Sequence, residues 1–197
     1  MSPVIATETS SGDTLVSRSA QTIVVRRPTD IDIPALATHF LEMQSHYECP
    51  VTDAVATDAA ALACRAPRSA FDPRVLIATE NNMIVGSLVM NVTFPASALT
   101  KSLYIRDLYV AKRMRRSCVG RMLVTAATRL AATEGFSAVE WTTASANKAA
   151  RKLYESCGAR QVDRIYFNER RSLPRSERRS VSQPVAADRR SLRAPTK

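Results

Sequence analysis

The stretch from Leu103 to Gly158 limits the possible folds more than any other part of this chain. It opens with an apolar run, Leu103-Tyr104-Ile105-Arg106-Asp107-Leu108-Tyr109-Val110, and continues into a basic corner, Arg115-Arg116-Ser117-Cys118-Val119-Gly120. Apolar residues then recur at helical spacing (Val119, Leu123, Ala126, Ala127, Leu130, Ala131) until Gly135 offers a C-terminal stop. A second strand pattern, Ala138 to Thr143, precedes a second helix with Ala146, Ala150, Leu153, Tyr154 and Cys157 on one face, closed by Gly158. Strand, helix, strand, helix in one run requires a sheet with helices packed on it.

The preceding residues supply the rest of that sheet. Thr22 to Arg26 is β-branched and short, and Arg27-Pro28-Thr29-Asp30 reads as a turn. Thr29 or Asp32 can cap a helix with Pro34 in its first turn and Leu36, Ala37, Phe40 and Met43 on one face. Ala-rich Asp53 to Ala66 reads as a second helix. Val75 to Thr79 and Met83 to Thr93 form a hairpin about Asn81-Asn82. A final strand is expected from Gln161 to Phe167. The order β-α-α-β-β-β-α-β-α-β predicts an α/β (α+β) domain over residues 22–169, its central sheet mixed, mostly antiparallel and flanked by helices on both faces.

Charge is unevenly spread. Of the net +10 carried by 197 residues, +7 lies in 170–197, a segment with three prolines and almost no large apolar residue. Such a composition cannot bury enough surface to offset ordering entropy, so it is expected to be a disordered basic tail, open to weak contact with nucleic acid. Residues 1–21, rich in Ser and Thr, are likewise expected to be disordered and lack a signal peptide's apolar core. No apolar run reaches the ~18 residues of a membrane span. The cysteines Cys49, Cys64, Cys118 and Cys157 lack CxxC spacing, and the histidines are His39 and His46. Neither a metal site nor a disulfide framework is expected, which points to a reducing, cytoplasmic setting.

The basic corner has a chemical reading. A helix N-terminus presents unpaired N–H groups and partial positive charge to phosphate oxygens. Arg115, Arg116 and Arg121 would add charge-assisted hydrogen bonds, and Gly120 would let a ligand approach the backbone. A solvated turn has the same composition.

Taken together, Arg115 to Gly120 and the stretch Asn147-Lys148-Ala149-Ala150-Arg151-Lys152-Leu153-Tyr154-Glu155-Ser156-Cys157-Gly158 resemble the GNAT superfamily of acetyl-CoA-dependent N-acetyltransferases. The family's signature is Arg/Gln-x-x-Gly-x-Gly/Ala after the fourth strand, then Asn and Tyr on the helix after the fifth. The resemblance covers roughly Ile23 to Phe167 and is closest to the polyamine and small-amine branch. It implies acetyl-CoA as co-substrate, the backbone of Leu108, Tyr109 and Val110 on the pantetheine arm, and amides of Arg116, Ser117, Cys118, Val119, Gly120 and Arg121 on the diphosphate. It also implies Asn147 beside the pantetheine, a homodimer, and a small-molecule or protein amine as acceptor. Cys118 departs from the pattern where the family usually has glycine; it is expected to be a small residue tolerated outside the left-handed region.

Acyl transfer from a thioester to an amine needs a proton removed from an ammonium of pKa ~10.4 and one supplied to a thiolate of pKa ~8.5. Tyr154, a phenol neutral at pH 7, suits the donor's role, as its place after Asn147 implies. Asp107 suits the base, or equally a carboxylate that orients the substrate. His46-Tyr47-Glu48 resembles the branch's acceptor-side loop and Glu140-Trp141-Thr142-Thr143 its fifth strand, so Tyr47, Glu48 and Trp141 are candidate acceptor contacts. The alternative is a non-catalytic CoA binder or a nucleic-acid-associated module acting through the basic tail.

Overall fold

The computed structural model describes residues 22–163. Strand β1 (Ile23–Arg26) leads through a tight turn into helix α1 (Ile33–His46), and α2 (Asp53–Cys64) follows. Strands β2 (Arg74–Glu80), β3 (Met83–Thr93) and β4 (Ser102–Val110) run consecutively, then α3 (Val119–Thr133), β5 (Val139–Trp141) and α4 (Lys148–Ser156). The five strands form one open sheet in the order β1-β2-β3-β4-β5. Neighbours are antiparallel except β4 and β5, which are parallel, so the mixed sheet expected from the sequence is present.

Local chemistry accounts for the boundaries. Asp32 accepts hydrogen bonds from the Thr29 amide (2.8 Å) and from both Arg26 guanidinium nitrogens (2.7 and 2.8 Å), pinning β1 to the start of α1. The Arg26 hydrogen bond holds the Asp32 carboxyl down at about 2. Thr52 caps α2 through the Val55 amide, and α2 stops at Cys64, two residues short of expectation, where Arg65 turns extended ahead of Pro67. Asn81 and Asn82 both take left-handed φ (49° and 63°), the geometry a tight hairpin between β2 and β3 needs. Gly135 (φ 73°) and Gly158 (φ 84°) end α3 and α4 as expected.

Each face of the sheet has its own core. On one face, Leu36, Ala37, Phe40 and Met43 of α1 pack with Ala56 and Ala60 of α2, Ile77 and Tyr109. On the other, Val119, Leu123, Ala127 and Ala131 of α3 pack on Leu76, Val85, Leu88, Leu103 and Ile105. Gly86 lets α3 approach, since a Cβ there would lie 2.9 Å from Val119 Cγ1.

Three expectations need correction. Strand β5 spans three residues rather than Ala138 to Thr143, because β4 pairs with it only at Leu103, Tyr104 and Ile105. Ala146 precedes α4 and is exposed, so it is not part of that helix's packed face. Gln161 to Asp163 form no strand; the rest of the expected final strand, residues 1–21 and the basic tail lie outside the described residues.

Candidate active site

The site grows from the point where β4 and β5 part. Beyond the Ile105–Trp141 pair the two parallel strands separate, and β4 is also irregular there: its register against β3 slips between Val89 and Met90, leaving Arg106 as the extra residue. A bulge bends its strand and re-aims the following side chains. The Ala111 amide donates to the Val85 carbonyl (3.0 Å), making Gly86 and Val110 a non-hydrogen-bonded pair. By alternation, Leu108 and Val110 turn their backbone groups into the gap, while Tyr109 spends its own on β3. Of the three residues expected to offer backbone to a ligand, Tyr109 is therefore the one that does not face it. Arg115 Nε confirms the direction by donating to the Val110 carbonyl at 3.2 Å.

One end of the gap is the basic corner. Arg115 to Cys118 join a short turn (Lys112–Met114) to α3, with Arg115, Arg116, Ser117 and Cys118 all exposed. No side chain caps α3 at Cys118, so its first amides, including those of Val119, Gly120 and Arg121, remain available to an anion. Arg116 (φ 69°) and Cys118 (φ 63°, ψ −1°) are both left-handed. This overturns the expectation for Cys118: the position takes the conformation that favours glycine, and its Cβ carries strain of about 1–2 kcal/mol. Gly120 has a packing reason of its own, since a Cβ there would lie 3.0 Å from Leu153 Cδ2 on α4.

Tyr154 lies half-buried on α4, its ring 5.0 Å from that of Trp141 on β5. Burial, then the charge of Asp107, pushes its phenol above the ordinary value, so it keeps its proton at neutral pH. Asp107 projects from β4 just after the bulge. Burial pushes its carboxyl up, while the Tyr47 hydroxyl (3.1 Å to Oδ1) and the Leu108 amide pull it down. Tyr47 is held neutral by burial and by Asp107, and Tyr154 also raises it. The charge of Asp107 thus acts on both phenols, Tyr47 and Tyr154. Glu48 ends α1 in a left-handed conformation (φ 56°) with an exposed side chain. Asn147 caps α4, its Oδ1 accepting from the Ala150 amide at 3.1 Å.

Sequence reasoning overlooked Glu42 and His39. Glu42 Oε1 accepts from the Tyr109 hydroxyl (3.0 Å) and the Lys112 amide (3.3 Å). Buried His39 meets Ser87 Oγ at 3.1 Å and stacks edge-on to Tyr109 (5.2 Å), and burial lowers it to about 4, leaving it neutral. Nothing local marks either residue, because their partners lie on β3 and β4.

Known structures share this architecture. A ribosomal-protein-alanine N-acetyltransferase from Brucella melitensis aligns at TM-score 0.61 with 16% identity, over 77% of this chain and 100% of its own. An aminoglycoside acetyltransferase from an uncultured soil metagenomic sample aligns at 0.60 with 21% identity, over 75% and 97%. An aminoglycoside N-acetyltransferase in complex with CoA aligns at 0.64 with 14% identity, over 80% and 100%. At these identities the likeness is one of fold. The sequence pattern of the acetyltransferase (GNAT) family extends over residues 40–159, from α1 through the basic corner to the end of α4, and the chain belongs to that family.

Proposed function

We propose that the protein is an N-acetyltransferase that moves an acetyl group from acetyl-CoA to a primary amine by direct attack in a ternary complex. What supports this reading is a pair of contacts, Tyr47 with Asp107 (3.1 Å) and Tyr154 with Trp141 (ring centroids 5.0 Å apart), on the two strands that part ahead of the uncapped start of α3. The residues fit acetyl-CoA: free amides and arginines for a diphosphate, and gap-facing backbone at Leu108 and Val110 for an amide-bearing arm. Bound there, acetyl-CoA supplies the activated acyl carbon. Solved neighbours named as an aminoglycoside N-acetyltransferase and a ribosomal-protein-alanine N-acetyltransferase support an amine acceptor.

In this reading Asp107, made a stronger base by burial and held in place by Tyr47, takes a proton from the incoming ammonium, directly or through water. The amine nitrogen forms a bond to the acetyl carbon, the carbon–sulfur bond breaks, and Tyr154 gives its proton to the departing thiolate; the second proton shed by the nitrogen returns through water to the tyrosinate, and the proton on Asp107 passes to solvent. A gap-facing amide of β4 meets the developing oxyanion. No enzyme-bound acyl group is required. Within the family we favour the polyamine and small-amine branch, because an aromatic wall beside one partly buried carboxylate suits a compact cation.

The test combines a panel of amines with one variant. Acetyl-CoA consumption should become amine-dependent, and CoA should raise Tm through binding to the native state. Tyr154→Phe should lower kcat by about 10²-fold or more, the usual span for a general acid, while CoA still raises Tm. Unchanged turnover in the folded variant would remove Tyr154 from the donor role.

A further inference from the structure

A chain of contacts leads from α1 to the diphosphate corner through one buried side chain. Tyr109, 3% exposed, lies between α1 and Arg115. Its ring touches His39 (5.2 Å), His46 (5.7 Å) and Tyr47 (6.2 Å) on the acceptor side, while the Arg115 guanidinium carbon sits 5.8 Å from its centroid on the other. The Tyr109 hydroxyl does not face the gap; it donates to Glu42 Oε1 at 3.0 Å. The same oxygen accepts the Lys112 amide at 3.3 Å, at the first residue of the turn that delivers the chain to Arg115. Arg115 is fixed a second time through its Nε bond to the Val110 carbonyl.

We propose that Glu42 is a positioning residue for the diphosphate-binding corner: one carboxylate oxygen ties the Lys112 turn and the Tyr109 ring together, and so sets where Arg115 and the amides behind it stand. The inference rests on the acetyl-CoA reading above. The physical argument is preorganisation. Of Lys112 to Cys118 only Met114 packs on the core; the other six are exposed and two of them are left-handed, so Arg115 to Cys118 have little packing of their own to hold them in place. Ordering it at the moment of binding would cost conformational entropy, and a link to the rigid α1 removes most of that cost beforehand. Glu42 itself touches neither the gap nor the corner's amides, and it acts through Tyr109 and Lys112.

The expected signature is selective for the diphosphate end of the ligand. Binding of CoA and of pantetheine, which lacks the nucleotide diphosphate, is measured by calorimetry on the full chain. Glu42→Ala should weaken CoA roughly five- to tenfold and leave pantetheine within about twofold, as loss of a preorganising contact predicts. Glu42→Gln, whose amide oxygen can still accept both bonds, should bind CoA within about twofold of the unmodified protein. A role confined to stability would lower the folded fraction without changing this ratio. Equal weakening of both ligands, or none, by Glu42→Ala overturns the proposal. Should Glu42→Ala not fold, Tyr109→Phe keeps the ring and loses the hydroxyl; CoA weakened about threefold, with pantetheine unaffected, supports the proposal, and unaltered CoA binding overturns it. If the unmodified protein binds no CoA at all, the acetyl-CoA reading itself fails, an outcome separate from these.

Discussion

Replacing Cys118 by glycine should stabilise the protein, and the size of the gain can be worked from the backbone. Cys118 stands at φ 63°, ψ −1°, where an L residue with a Cβ pays about 1–2 kcal/mol. Glycine relieves that strain but gives back about 0.5–1 kcal/mol through the larger freedom of its unfolded chain. The thiol offers little to set against the exchange, for the side chain is exposed and caps nothing. The net gain therefore lies within about 0–1.5 kcal/mol, centred on ~0.75, and at about 2–4 °C per kcal/mol for a protein of this size Tm should rise by roughly 2–3 °C and by no more than about 6 °C. Thermal unfolding of Cys118→Gly and Cys118→Ala side by side isolates the cause. Alanine removes the sulfur but keeps the Cβ, so it should leave Tm where it is. A fall in Tm with glycine, or an equal rise with alanine, would refute the strain argument.

Gly86→Ala should act in the opposite sense. Its Cβ would meet Val119 Cγ1 at 2.9 Å, Leu123 Cδ1 at 3.1 Å and the Tyr109 carbonyl at 3.2 Å, and overpacking of this kind costs about 1–3 kcal/mol. Urea unfolding should show the lower midpoint with an unchanged slope, and an unchanged midpoint would mean that α3 has room to retreat. For catalysis, kcat/KM should fall as pH drops through the Asp107 pKa, because the base must be unprotonated. Burial raises that pKa, so the acid limb should lie above the ordinary carboxylate range. Asp107→Asn should remove the limb, and its persistence in that variant would assign it to another group.

Much of the fold was legible locally because it is written in short-range patterns. The apolar spacing of α1 and α3 gave both helices and their buried faces, Asn81-Asn82 marked the hairpin, and Gly135 and Gly158 marked the helix ends. The candidate site was legible only as residue types: Tyr154 stands out by its place after Asn147 and Asp107 by its place on the strand before the basic corner, and their roles belong to the proposed function. Glu48, chosen for its neighbours in sequence, sits exposed at the end of α1. Cys118 could not be judged locally, because whether a loop residue must be left-handed depends on the direction in which the following helix leaves.

Periodicity and turn chemistry therefore belong to the amino-acid sequence alone: they act over a few residues, and the backbone answers them wherever they occur. Pairings across long separations belong to the tertiary structure. Tyr47 meets Asp107 across 60 positions and Glu42 meets Tyr109 across 67, and only strand register and helix placement bring them together. The short β5 has the same origin. Its β-branched residues continue past Trp141 at Thr142 and Thr143, but a strand ends where its neighbour turns away, and the bulge at Arg106 bends β4 as the two strands part.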